Sequence, residues 1–237
     1  MAQTSDQPTA TAPEAPGLRS KKKARRRQEI LRCAGRLFAR DGFDATTMAT
    51  IASEADVSPP TVFNYFGSKE NILSALIFEG TEDERTRHLK SPRKTNCNFA
   101  DVLADFLCDC ANNTMRIAGK RVWRYVEATN IRRPGSDFQR RFDHSDTELH
   151  NLFARFLSAY DIVLRNGQTP DTRFLAWLFY DRWSARYFAY IKDDDMPMSE
   201  HETQVRSDVD AMVALLFDDD FTATSPLKKA DPINDQS

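Results

Sequence analysis

Apolar positions recur along this chain with a period near 3.6, and that period sets the elements it predicts. Ile30, Cys33, Ala34, Leu37 and Phe38 fall at i, i+3, i+4, i+7 and i+8, one stripe of a helix that ends near Asp41-Gly42. Met48, Ile51, Ala52 and Ala55 repeat the spacing over a shorter stretch, Val62 and Phe66 over a shorter one still. A fourth helix is predicted from Ser68 toward Leu89, apolar first and densely charged afterwards, and closed by Ser91-Pro92. Further helices are expected near 98–118, 120–131, 136–166, 171–192 and 199–219, with breaks at Gly119, Arg133-Pro134-Gly135, Asn166-Gly167 with Pro170, and Met196-Pro197. With 8 glycines in 237 residues and no alternating strand pattern, the predicted class is all-α, without internal repeats.

The stretch from Thr46 to Lys69 is the most informative. Thr46 or Thr47 is placed to cap the first short helix, the chain turns at Asp56-Val57, and Ser58 is placed to cap the second. Pro59 and Pro60 follow at helix positions whose N–H groups would have no intrahelical partner. Burying Val62 and Phe66 turns Pro60, Thr61, Phe63, Asn64 and Tyr65 outward. Thr, Asn and Tyr hydrogen-bond to phosphates and base edges, while Pro and Phe touch thymine methyls or sugar, so this face suits a reader of duplex DNA. A generic amphipathic helical hairpin accounts for the spacing equally well.

Residues 30–73 resemble the DNA-binding domain of the tetracycline-repressor (TetR) family of bacterial regulators. The resemblance is carried by Ala34, Leu37-Phe38, Gly42-Phe43, Thr46-Thr47, Ile51-Ala52, Ala55, Val57-Ser58, Thr61, Phe66, Ser68-Lys69-Glu70 and Leu73. It covers the first third of the chain. Asp56 and Pro60 stand where the family usually has Gly, and Phe63 where it usually has a phosphate-contacting Tyr. The resemblance implies a three-helix helix-turn-helix domain followed by a larger helical ligand-binding and dimerisation domain. With the exposed residues above it gives an expected DNA-contacting set of Thr47, Ser58, Pro60, Thr61, Phe63, Asn64, Tyr65 and Lys69, joined by Lys22, Lys23 and Arg25 from the basic run before it.

Charge sharpens this picture. The formal net charge is −2, yet Arg19 to Arg40 holds ten basic residues against Glu29, and Asp193 to Asp220 holds ten acids against Arg206. A basic end is the electrostatic footprint of a nucleic-acid binder, and its Lys/Arg run suits phosphate or minor-groove contact as well as plain solubility. Residues 1–19 are expected to be a disordered arm, 20–68 the DNA-binding domain, 69–221 the effector-binding and dimerisation domain, and 222–237 a disordered tail. No apolar run approaches the ~18 residues of a membrane span and no signal-peptide core is present, so the expectation is a cytoplasmic protein with no membrane partner. Cys33, Cys97, Cys108 and Cys110 show neither zinc nor disulfide spacing and read as reduced, mostly buried thiols.

The later helices are rich in aromatic residues, and the expected ligand pocket is lined by Trp123, Phe153, Phe156, Trp177 and Tyr180, with Asn113, Arg182 or Tyr187 orienting a polar end. Core packing explains any one of these rings. Arg132, Arg133, Arg140 and Arg141 raise the narrower reading of a fatty-acyl coenzyme A, against that of a solvated face. Val205, Val209, Met212, Val213 and Leu216 form a stripe expected to make a homodimer, which calls for a palindromic operator. His144 with Glu148, and Asp146 with His150, are i,i+4 pairs better explained by ion pairing than by a metal, and no nucleophile elbow, phosphate loop or paired catalytic carboxylates call for an enzyme or a cofactor. The expected function is a ligand-released transcriptional repressor; the alternatives are a DNA-binding regulator without a small-molecule effector, or one sensing redox state through its cysteines.

Overall fold

The computed structural model describes residues 16–228, and the fold over them is helical throughout. Its ten helices are α1 (Pro16–Asp41), α2 (Met48–Glu54), α3 (Pro59–Phe66), α4 (Lys69–Lys90), α5 (Phe99–Ile117), α6 (Lys120–Arg132), α7 (Asp137–Ser158), α8 (Thr172–Lys192), α9 (Met198–Leu216) and α10 (Asp219–Thr224). Among the described residues the only extended pairings are two isolated antiparallel bridges, Tyr160 with Leu227 and Leu164 with Phe217.

The boundaries follow from caps. Thr47 closes a capping box with Thr50 at the start of α2, and Ser68, Asn98, Ser136, Asp171 and Asp218 each accept a backbone N–H at the start of α4, α5, α7, α8 and α10. Asp56 takes the left-handed turn expected of it, at φ 51°. Ser58 departs from expectation: its hydroxyl lies 2.9 Å from that of Thr61 and caps no backbone N–H.

Three boundary expectations are corrected. Helix α1 begins at Pro16, so 16–19 are helical and only 1–15 of the expected arm lie outside the described residues. Helix α7 stops at Ser158 instead of 166, because Tyr160 and Leu164 turn to pair with the chain's last described segment. That segment is packed rather than a free tail as far as residue 228: α10 buries Phe221, and the Lys228 N–H donates to the Ala159 carbonyl at 3.0 Å. The remainder of the expected tail, 229–237, lies outside the described residues.

The described residues enclose two apolar cores. One fills the body between α5, α7, α8, α9 and α10 around Phe99, Phe153, Phe179 and Phe217. The other starts in the helix-turn-helix with Ile30, Phe38, Ile51, Val62 and Phe66 and does not stop at residue 68. It runs on through Ile72, Leu73 and Ile77 of α4 and Val122, Trp123 and Val126 of α6 to Tyr187, Tyr190 and Ile191 of α8. The first turns of α6 reinforce the joint. Arg121 donates to the Arg40 carbonyl at 2.9 Å, Lys120 to the Asp193 and Met196 carbonyls at 2.6 and 2.7 Å, and Arg124 to the Ile191 carbonyl at 2.5 Å. Orphan carbonyls at the ends of α1 and α8 are thus satisfied by cations of one helix.

Two expected outcomes test the packing. Helices α4 and α5 meet at Gly80, where a Cβ would lie 2.8 Å from Ile117 Cγ2. Gly80→Ala therefore trades overpacking of about 1–3 kcal/mol against a helix-propensity gain of about 1 kcal/mol. Denaturant unfolding should show it destabilising in the wild-type background and stabilising in Ile117→Ala, where the obstructing methyl is gone. Second, His88 and His201 are 5% and 0% exposed, and burial lowers the pKa of each imidazole. Above the ordinary imidazole value near 6.5 both states are neutral; below it the unfolded chain takes up protons that the fold refuses, so stability falls with pH until the folded-state values are reached. The thermal midpoint of His201→Phe should therefore fall less steeply than that of the wild type as pH drops below about 6.5.

Candidate nucleic-acid interface and the helical body behind it

Helix α3 is held to the head by Val62 and Phe66, 0% and 7% exposed. Its other face carries Pro60, Phe63 and Asn64 into solvent, with Thr61 and Tyr65 half-buried at the edges; Phe63 is 62% exposed. A phenylalanine on so short a helix with no apolar cover is poorly suited to water and well suited to sugar or a thymine methyl. Pro59 and Pro60 open the helix, and the N–H groups of Thr61 and Val62 both donate to the Ser58 carbonyl.

Other expected contacts have structural duties. Lys69 points its ammonium at three carbonyls, Phe43, Thr46 and Asp44, at 2.7, 2.8 and 3.3 Å, and rests over the Phe43 ring. Its three N–H donors are thereby used, so it fixes the turn that presents Thr47 instead of reaching a phosphate. Thr47 is exposed, its hydroxyl shared with Thr50. Arg27 forms a bidentate pair with Glu79 and lies over Phe66, tying α1 to α4. Lys22, Lys23 and Arg25 stand exposed on α1, whose residues 17–26 are all exposed. The basic run is therefore a helix projecting from the head.

In the body the structure redistributes the expected pocket. Trp123 and Tyr187 belong to the joint between head and body: the Trp123 indole donates to the Thr114 carbonyl at 2.8 Å, and its ring meets Tyr187 edge-on. Asn113 is buried with its amide nitrogen 3.2 Å from His88 Nε2 and its oxygen accepting from Arg116. Arg182 and Arg186 both clamp Asp208 of α9, holding that carboxyl at a pKa of about 2. Asn113 and Arg182 are thus partnered within the fold. Trp177 is 53% exposed, its ring 3.8 Å from that of His150. Phe153 and Phe156 are buried, and Phe156 stacks on Phe106 at 4.1 Å.

A cleft of about 400 Å³ opens between the 91–94 segment, α5, the end of α7 and α9, floored by Val102, Phe106, Phe156 and Tyr160. Phe156 alone of the expected lining touches it. Its rim charges satisfy one another: Lys94 and Arg206 both bind Asp105 at 2.7 Å, and Asn112 donates to Glu202 at 2.6 Å.

The dimerisation stripe is also corrected. Val205, Val209 and Val213 are 2%, 2% and 1% exposed inside the body core, and Met212 and Leu216 pack against it. Periodicity located an apolar face whose cover is the chain itself. The apolar surface still open lies beside it: Phe174 (66% exposed), Leu178 and Ala185 on α8, Ala211 and Leu215 (74%) on α9.

Of the arginines considered for acyl-coenzyme A phosphates, Arg132 and Arg133 are exposed at the α6–α7 turn, Arg140 pairs with Asp137, and Arg141 lies 4.3 Å over Phe78. Burial raises the pKa of Cys33, Cys108 and Cys110, that of Cys108 to about 11, which disfavours the thiolates a redox sensor needs. The described residues contain no group of three or more His, Cys, Asp or Glu placed to hold a metal, and no helix long and apolar enough to cross a membrane.

Sequence reasoning named Asp146 with His150, and Tyr180 and Tyr187, but missed Glu127 of α6, which joins them where α6, α7 and α8 meet. A signal existed, since Glu127 sits at i+4 from Trp123 and beside Val126, on the inward side of its helix.

Residues 30–76 match the domain described as bacterial regulatory proteins, tetR family. The HTH-type transcriptional regulator TcmR of Streptomyces glaucescens is 39% identical over 76 residues, 32% of this chain and 34% of that protein, so the match spans about a third of the relative. A TetR-family transcriptional regulator from Streptomyces coelicolor superposes with a TM-score of 0.59 at 21% identity, over 81% of each chain. FadR from Bacillus subtilis, in complex with stearoyl-CoA, does so at 0.55 and 16% identity, over 77% of this chain and 96% of its own. At these identities the likeness of the bodies is one of fold. With its head matched in sequence and its body in architecture, the chain carries at residues 30–76 the DNA-binding domain of the tetR family of bacterial regulatory proteins, on a body similar in fold to solved regulators of that family.

Proposed function

We propose that the protein is a repressor that binds a palindromic operator as a homodimer and is released by a small, largely apolar molecule bound in its body. The observation that carries the reading is the outward face of α3, where Phe63 and Asn64 are exposed. Asn64 and Thr61 read bases; Thr47, Pro60, Phe63 and Tyr65 fit backbone, sugar and methyl groups; Lys22, Lys23 and Arg25 on the projecting half of α1 neutralise phosphates. Ser58 and Lys69 support this set from behind.

The dimer is formed by the open stripe of α8 and α9, Phe174, Leu178 and Ala185 with Ala211 and Leu215, and a two-fold contact there sets two reading helices about 34–36 Å apart. Control follows from the shared core. A ligand that moves α6 against α8 acts on the joint that also holds α1, and it changes operator affinity by no more than its preference for one arrangement of the heads.

Duplexes selected from a random pool by the purified protein provide the assay. Asn64→Ala should cost about 1–3 kcal/mol on the selected sequence and little on random DNA; an equal loss on both would remove the base-reading role. Phe174→Asp and Leu215→Asp should each yield monomers in sedimentation that bind the palindrome poorly, and a dimer surviving both would place the interface elsewhere.

A further inference from the structure

The cluster between α6, α7 and α8 is an expensive thing to bury. Tyr187 is 7% exposed, yet its hydroxyl has no hydrogen-bond partner among the described residues; His150 is 6% exposed, and its Nε2 has none among them either. The side-chain oxygen of Asn130, one turn beyond Glu127 on α6, is likewise buried and unpartnered. Each such atom forfeits its hydrogen bonds to water without a replacement and so destabilises the fold relative to a satisfied one. Two carboxylates lie near these groups, Glu127 partly buried and Asp146 at the edge with its side chain 40% exposed. Asp146 accepts from the Tyr180 hydroxyl and lies beside His150, whose Nδ1 is 2.9 Å from the Asp146 carbonyl. Glu127 has neither a hydrogen bond nor a cation among the described residues; burial first, and the charge of Asp146 second, raise its pKa to about 7. Burial first, then the Glu127 carboxyl and Tyr180, raise the pKa of the Tyr187 hydroxyl.

Aromatic faces wall this cluster. Trp183 stacks on Tyr187 at 5.8 Å and meets Phe153 at 5.9 Å, and Phe153 meets Tyr180 at 5.6 Å. Rings present negative faces, and two carboxylates with no buried cation between them leave the enclosure short of positive charge. An ordinary satisfied core network would have placed an arginine or lysine against Glu127. An acyl carboxylate would meet repulsion from both acids.

We propose that this junction is the effector site and that it takes an organic cation, an amine or quaternary centre on an apolar aromatic body, held between Glu127 and Asp146 against Tyr187, Trp183 and Phe153. This rests on the induction reading above: a body wedged between α6 and α8 pushes on the helix whose first turns hold α1.

Two probes of matched shape and opposite charge test it on the full chain: tetraphenylphosphonium and tetraphenylborate, followed by calorimetry and tryptophan fluorescence. The cation should bind once per chain, at least tenfold more tightly than the anion. Glu127→Gln and Asp146→Asn should each weaken the cation at least tenfold while narrowing its preference over the anion, and circular dichroism establishes that each variant is folded. Equal binding of the two ions, or cation binding untouched by both variants, would overturn the site. Should either variant fail to fold, Tyr187→Phe is the second reporter: loss of an unpartnered hydroxyl leaves a folded chain, and cation affinity changes only if the cation sits there. The selected duplex, titrated in parallel, separates the two claims. Cation binding without loss of duplex affinity defeats the induction reading alone. Release of the duplex by stearoyl-CoA or oleate, with no binding of the phosphonium, defeats the cation site alone.

Discussion

The first turns of α6 hold this molecule together. Arg121 closes the end of α1, while Lys120 and Arg124 close the end of α8. Behind them Val122, Trp123 and Val126 complete a core that belongs at once to the head and to the body. Cations on carbonyls are directional, and a packed apolar interior has low compressibility, so displacement of α6 is passed on rather than absorbed. At Gly42 the backbone takes φ 90°, a conformation that favours glycine, and the absent Cβ leaves room for the Arg121 guanidinium beside it. A TetR-type head on a rigid stalk would read DNA without listening to its body. This one shares its core and a hydrogen bond with α6.

The head was legible in the sequence because local signals agree there. Caps, prolines, a left-handed aspartate and short apolar repeats name the same three helices, and the structure keeps each except the Ser58 cap. The body was legible as helices but not as surfaces. Periodicity says that one side of α9 is apolar; it cannot say whether α5 or a second subunit covers it, and Val205, Val209 and Val213 turned out to face α5 and the interior. The same ambiguity moved Trp123 and Tyr187 from a pocket to a joint. Where α7 ends was hidden because Leu157, Tyr160 and Leu164 continue a helical spacing, while their partners, Phe217 and Leu227, lie more than fifty residues on.

Polar residues inside the body were harder to read. Long-range partners decide whether a carboxylate is inert, as Asp208 is between Arg182 and Arg186, or unsatisfied, as Glu127 is. Nothing in the local sequence separates the two. Lys69 is a similar case: a lysine at a helix N-terminus beside a DNA-reading hairpin suggests a phosphate, and only the position of the turn at Phe43 to Thr46 shows its three hydrogens spent.

The paired prolines at the start of α3 bear on how the head grips. An ordinary helix N-terminus offers several free N–H groups and so binds an anion. Here two positions have no hydrogen to give, and the next two N–H groups are already turned back onto the Ser58 carbonyl. The reading helix therefore starts electrically blunt, with no pull toward the sugar-phosphate wall at its tip. The helices on either side keep that pull, since the first N–H groups of α2 and α4 have no intrahelical acceptor. The capacity to attract a phosphate through backbone N–H groups thus lies at the starts of α2 and α4, and α3 offers its side chains instead.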